Sequence, residues 1–293
     1  MVAQASSFEP ANFLNKIAYK SEIFAYTWQR LKEGASEATL KTHARRLGQL
    51  ARKCNLLNPE EVKTIIALGK QKNSTKSGTV NAYTDFLKYK GMKWEKPHCK
   101  SEATVPFIPL ETEIDALIAS TSKNVSIFLQ LLKETGARGI EAIKTEWIDI
   151  DTERKTLKIN NAAKGSNPKI LPISTKLIGM LNNLPKKSQR CFNGKLDNIR
   201  GSFNQQRIRT AKKLNNPRLK QISFHTLRHW KGTMEYHKTR DLYHVKTILG
   251  HKSIINTEIY VNLEQATFLT EECEYHSATA KNSRSPKTHR KRF

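Results

Sequence analysis

The sequence predicts a mainly α protein with a small β-hairpin or sheet, divided between a helical module and a mixed α+β domain. Three observations carry that expectation. Apolar residues recur at helical period through the first hundred positions, a proline-bearing stretch then breaks the pattern, and a brief strand-like alternation near residues 156–172 gives way to helical patterning up to about residue 270. A chain of 293 residues with 38% hydrophobic content can build two proper cores.

Pro10–Lys32 reads as the first helix, with Phe13, Ile17, Ile23, Phe24 and Trp28 roughly on one side. Ser36 is a natural N-cap for a second, whose Thr39, Leu40, His43, Leu47 and Leu50 face inward while Lys41, Arg45, Arg46, Arg52 and Lys53 face out. Asn58-Pro59-Glu60-Glu61 opens a third, with proline in the first turn and acids at the positive end of the helix dipole. Gly78–Lys90 is expected to be helical and to stop at Gly91. Pro97, Pro106 and Pro109 mark a linker. Beyond it, helices are expected from Glu111 or Thr112 and over Val125–Glu134, the latter apolar enough to be buried. Thr156–Ile159 and Lys169–Pro172 read as two strands around a polar turn, followed by helices over Thr175–Leu184 and Asn198–Leu214 and from His225 onward. The domains expected are therefore 1–98 (helical), 99–108 (linker), 109–270 (mixed) and 271–293, a basic, flexible tail.

Charge is the compositional outlier. Fifty-one Lys and Arg against 26 Asp and Glu give +25, an excess whose usual target is a polyanion. Only Glu60 and Glu61 offset the bases between Lys41 and Lys76. No run of about 18 apolar residues occurs, so no segment is expected to span a bilayer. The first ten residues lack the basic start and apolar stretch of a secretory signal, so the expected location is the cytoplasm, among nucleic acid. Four scattered cysteines with no CxxC and no Cys/His pair at ligand spacing argue for reduced thiols and against a zinc site.

The chemistry gathers in short motifs. Thr135-Gly136-Ala137-Arg138-Gly139-Ile140-Glu141 puts an arginine where a small-residue turn opens a helix, with Glu141 on the same face to orient it. Taken alone, the pair reads more readily as a surface ion pair. His225-Thr226-Leu227-Arg228-His229 sets a histidine and an arginine one turn apart, so both can aim at one point, while Phe224, Leu227 and Trp230 bury the other side. Arginine offers an always-charged fork to two phosphate oxygens, and imidazole moves protons near neutrality. Leu249-Gly250-His251 ends a helix with a glycine C-cap that presents His251, and Tyr260 follows nine residues later on what reads as a short helix. A phenol becomes a nucleophile when neighbouring cations or a base favour the phenolate. Together these are the parts of a metal-free phosphoryl-transfer site.

In order and spacing, T-G-A-R-G-I-E, H-T-L-R-H, L-G-H and the tyrosine nine residues beyond resemble the tyrosine recombinases, or phage-type integrases, over about residues 107–265. The helical front module resembles that family's core-binding, DNA-binding domain. The resemblance implies that Arg138 and Arg228 clamp the scissile phosphate. Lys164 in Ala162-Ala163-Lys164-Gly165 would protonate the leaving 5′-oxygen, although Lys158 and Lys169 lie near enough to compete for that role. It further implies that His225 assists proton transfer, that His251 hydrogen-bonds the phosphate, and that Tyr260 attacks to give a 3′-phosphotyrosyl link without cofactor, metal or ATP. Double-stranded DNA is then the partner: the helical and catalytic domains of a protomer would close around it as a C-shaped clamp, with a homotetramer acting on two sites and a monomer or dimer off DNA. Residues Gln265–Ala278 would dock on a neighbour or pack on their own domain. A mobile element, virus or plasmid is the fitting source. Two departures stand out: Ala163-Lys164-Gly165 replaces Gly-Lys-Gly, and Trp230-Lys231-Gly232 replaces a Thr-x-Ala-Thr-like run. The alternatives are a type IB-like topoisomerase and a non-catalytic DNA-binding relative.

Overall fold

Helix caps written into the sequence set most of the architecture. The computed structural model describes the backbone of residues 10–100, 104–160 and 166–282, and within those the side chains from 19 to 268. The chain divides into two compact units, Met1–Thr104 and Val105–Phe293.

The first unit comprises α1 (Pro10–Lys32), α2 (Glu37–Leu50), α3 (Pro59–Leu68) and α4 (Asn73–Tyr89). Ser36 accepts from the Thr39 N–H at 3.3 Å and Asn58 from the Glu61 N–H at 3.3 Å, so both expected caps form. Tyr26, Leu47, Leu56, Val62, Tyr83 and Phe86 fill the core. Helix α4 starts five residues before Gly78, which had been expected to open it. Gly78 instead lies inside the helix, with the Arg46 guanidinium against it: a Cβ there would sit 2.0 Å from Arg46 Nη1.

The second unit begins with α5 (Glu111–Ser120) and α6 (Lys123–Thr135), a helix buried on nearly all sides, as its composition predicts. A four-residue α7 (Gly139–Ala142) leads to a three-stranded antiparallel sheet of β1 (Ile150–Asp151), β2 (Thr156–Ile159) and β3 (Lys169–Pro172), in that order. The two-residue β1 was too short to show any alternation in sequence. In the β2–β3 register Leu157 faces Leu171 and Ile159 faces Lys169. Leu157, Ile159, Leu171 and Lys169 consequently point into the core, and Ile170 points out. Then follow α8 (Thr175–Asn182), α9 (Leu196–Lys213), α10 (Phe224–Thr239), α11 (Leu242–Leu249) and α12 (Ile255–Asn282). Phe128 packs edge-on against Phe192 and tilted against Phe224, both at 5.1 Å, fixing α6 to α10. Tyr260 lies not on a short helix but in the first turns of a 28-residue one. No Gly or Pro occurs between Ile255 and Asn282 to stop it. The helix enters the stretch expected to be a tail, and residues 283–293 lie outside the described residues.

Candidate active site

The turn after α6 is the foundation of the site. Gly136 adopts the left-handed conformation (φ 59°) and turns the chain so closely that a Cβ would come within 2.9 Å of Leu249 Cδ2 and 3.1 Å of Lys231 Cγ. Arg138 is then the N-cap of α7, its side chain 22% exposed. Its backbone N–H donates to Glu141 Oε2 (3.0 Å), its Nη1 donates to Glu141 Oε1 (2.9 Å), and Nη1 also donates to Ser166 Oγ. Glu141 is buried and holds the guanidinium in one orientation, as the spacing predicts.

Arg228 reaches the same turn from α10. It is 2% exposed, and its Nη1 and Nη2 donate to the carbonyls of Gly136 (2.8 Å) and Leu249 (2.7 Å). Five N–H donors on the guanidinium leave further ones for an anion. Burial, reinforced by Arg138, lowers the Arg228 pKa to about 10. It therefore stays charged at neutral pH, and its charge acts through little screening water.

Gly250 ends α11 in the left-handed conformation (φ 69°) and delivers His251, whose Nδ1 lies 3.0 Å from Thr257 Oγ1. Burial, then Arg228, Arg138 and Lys169, push the His251 pKa down to about 4, so the ring is neutral at pH 7. It stacks on Tyr260 at 6.3 Å with 7° between planes. Tyr260 is 2% exposed. Burial raises its pKa to about 12 while Arg228 and Arg138 act the other way, so both guanidinium groups bear on the phenol. Its ring rests on Gly232, where a Cβ would fall 2.5 Å from Cε1 and Cζ.

The sequence profile of the phage integrase family matches residues 110–267, more than half of the chain and all of the residues just described. The chain belongs to the phage integrase family. It is 27% identical over 172 residues to the tyrosine recombinase XerC of Bifidobacterium longum (strain DJO10A), an alignment covering 52% of this chain and 47% of XerC. The match thus spans about half the length of that curated relative. In fold the chain is similar to the Tn1549 transposon integrase in complex with a circular intermediate DNA (TM-score 0.62, 13% identity, 82% of this chain and 94% of that one). It is also similar to a λ integrase dimer bound to a COC′ core site (0.61, 14%, 80% and 95%). A third similar fold is XerH bound to its difH substrate before cleavage (0.57, 18%, 78% and 78%).

Of the residues picked out by sequence in this family member, Arg138, Glu141, Arg228, His251 and Tyr260 converge. His225 is exposed in the first turn of α10 and packs edge-on against His229 at 4.5 Å. It lines, with Arg138, a cavity of about 700 Å³ that also exposes Arg200 and Arg207 of α9. Lys164 lies outside the described residues. Two residues come forward that sequence had named only in passing. His229 is tilted over Tyr260 at 6.0 Å. Burial, then His225 and Arg228, lower its pKa to about 4, and among the described residues its buried Nδ1 has no hydrogen-bond partner. Lys169 is buried inside the sheet and reaches the carbonyl that also accepts from Arg228. Among the described residues no group of three or more His, Cys, Asp or Glu could share a metal ion.

Proposed function

We propose that the chain is a site-specific DNA recombinase that cuts and rejoins strands through a 3′-phosphotyrosyl intermediate. One observation carries the reading: the Tyr260 phenol, the His251 ring and the guanidinium groups of Arg138 and Arg228 converge from four separate elements. Two poorly hydrated cations suit the non-bridging oxygens of a phosphodiester and the extra charge of its pentacoordinate transition state. Tyr260 oxygen attacks the phosphorus as its phenolic proton is handed to a base, a transfer that His225 assists. The bond to the 5′-oxygen breaks, and that oxygen takes its proton from Lys164. His251, neutral at pH 7, donates a hydrogen bond to the phosphate. Attack of a 5′-hydroxyl on the phosphotyrosine runs the same steps backward, so the energy of the phosphodiester is conserved.

Duplex DNA as the partner is supported by the +25 charge, by Arg200 and Arg207 beside Arg138, and by the DNA present in the Tn1549 integrase, λ integrase and XerH complexes. We place its action in the cytoplasm, on two sites held by a homotetramer. The test selects covalent adducts under denaturing conditions from a randomised pool of nicked duplexes, then sequences the attached strand. The parent is expected to yield one sequence family linked at Tyr260. An equal yield from Tyr260→Phe overturns the assignment. Binding to the selected duplex should weaken steeply with salt, log K falling by about 0.9 per decade for each phosphate neutralised; affinity unchanged from low to moderate salt contradicts it.

A further inference from the structure

Lys169 is a buried lysine for which the reaction above has no use. Its side chain is 3% exposed, and its Nζ donates to the Leu249 carbonyl at 3.2 Å and lies 3.6 Å from Glu141 Oε2. Those two acceptors are not ordinary core atoms. Leu249 oxygen also accepts from Arg228, and Glu141 also holds Arg138. The stem of the same lysine lies against Gly250, the residue before His251: a Cβ there would meet Asn167 oxygen at 3.2 Å and Lys169 Cδ at 3.5 Å. The strand register turns Lys169 inward opposite Ile159, five residues after Lys164. One ammonium thus joins the base of the hairpin, the carboxylate behind one arginine, the carbonyl behind the other, and the turn that carries a histidine.

We propose that Lys169 is the positioning residue of this site, tying β3 to the supports of both phosphate-binding arginines, and that it is not the proton donor to the leaving oxygen. The proposal rests on the strand-cleavage reading above. Burial with Glu141 and a carbonyl directs the amine into the protein. An ammonium in that place costs desolvation, which burial registers by lowering its pKa to about 8, with Glu141 opposing and Arg228 and Arg138 reinforcing. Retaining it there against that cost fits a role in holding geometry, where small displacements carry large penalties in rate.

The experiment uses the full chain and the selected duplex in two forms, one with the natural 5′-bridging oxygen and one with a 5′-bridging sulfur, a leaving group that needs no proton. Adduct formation by the parent establishes the cleavage reading independently, so failure there is distinguishable from failure of this proposal. Lys164→Ala should lose cleavage on oxygen and regain it on sulfur. Lys169→Met should cleave both forms more slowly by about tenfold to a hundredfold, with duplex affinity within about twofold of the parent. Lys169→Arg, which keeps the charge and the donors, should restore the rate to within about threefold on both forms. Recovery of Lys169→Met by sulfur makes Lys169 the proton donor and overturns the proposal, as does a parental rate on oxygen. If Lys169→Met does not fold, Lys169→Arg decides: a near-parental rate with no added gain from sulfur supports positioning, and a slow rate recovered by sulfur refutes it.

Discussion

Each unit of the molecule buries a tyrosine stacked on a histidine beside an arginine, with nearly the same ring spacing and tilt. Tyr26 lies 6.4 Å from His43 with 5° between planes, and Tyr260 lies 6.3 Å from His251 with 7°. The difference is the sign of the surrounding charge. Tyr26 donates to Asp85 Oδ2 at 2.7 Å, and Arg30 Nε donates to that same oxygen at 3.0 Å. Burial and then Asp85 push the Tyr26 phenol up, because a carboxylate alongside opposes a phenolate. Around Tyr260 the charged neighbours acting on the phenol are Arg228 and Arg138, which favour the anion. A buried Tyr–His stack is therefore no signature of chemistry. What separates a core polar network from a candidate nucleophile is whether the phenol donates to a carboxylate or is faced by cations alone.

The largest expected effect cuts along that line. Tyr260→Phe should abolish the denaturant-resistant DNA adduct while leaving duplex affinity intact. Tyr26→Phe should leave adduct formation in place and instead cost about 1–3 kcal/mol of stability, because Asp85 and His43 lose a buried partner. Denaturing gels and urea titrations read the two effects separately. Loss of the adduct in Tyr26→Phe would erase the distinction.

Most of the site was legible because its residues are local to caps and turns. Gly136 and Gly250 take the left-handed conformations their motifs demand, and Ser223 caps the helix that carries Arg228. Lys169 was not legible as an interior residue. In Lys169-Ile170-Leu171-Pro172, hydrophobicity alone turns Ile170 inward, yet Ile170 is 66% exposed and Lys169 is buried. The pairing with Leu157 and Ile159 decides the matter, and that pairing is non-local. The length of α12 was readable from the absence of Gly and Pro between Ile255 and Asn282. Gly78 and Gly232 show the opposite failure. Both sit inside helices with a side chain from elsewhere in the chain close against them, a neighbour that local sequence does not reveal.

Those two glycines sharpen the comparison at the next scale. At Gly78 an added Cβ meets the end of Arg46, a flexible side chain that can swing into solvent. Gly78→Ala should be tolerated and gain up to about 1 kcal/mol from helix propensity. At Gly232 the Cβ meets the ring of Tyr260, a buried side chain that also neighbours His251 and His229 and so has less freedom to move than the end of an arginine. Gly232→Ala should cost about 1–3 kcal/mol of stability and slow cleavage by about a hundredfold through misplacement of the phenol. Equal tolerance at both positions would show that Tyr260 is not seated on α10 as described.

The smallest effect is the response of the two stacked histidines to acid. Burial lowers the pKa of both. At His43 Asp85 opposes the shift and Arg46 and Arg30 add to it, whereas at His251 Arg228, Arg138 and Lys169 all deepen it, to about 4. A histidine whose folded pKa lies below its unfolded value of about 6.5 binds fewer protons in the native state between those limits. Its contribution to stability is complete above pH 6.5 and is lost as pH falls toward 4, by at most about 1.4 kcal/mol per unit. Replacing the titrating ring removes its share of that slope. Stability measured by denaturant at pH 7 and pH 5 should therefore fall less in His251→Gln than in the parent, with His43→Gln changing the difference by a smaller amount. If His43→Gln flattens the acid response as much as His251→Gln, the cationic surroundings of Tyr260 are weaker than the positions of the two arginines imply, and the electrostatic contrast between the two tyrosines fails with them.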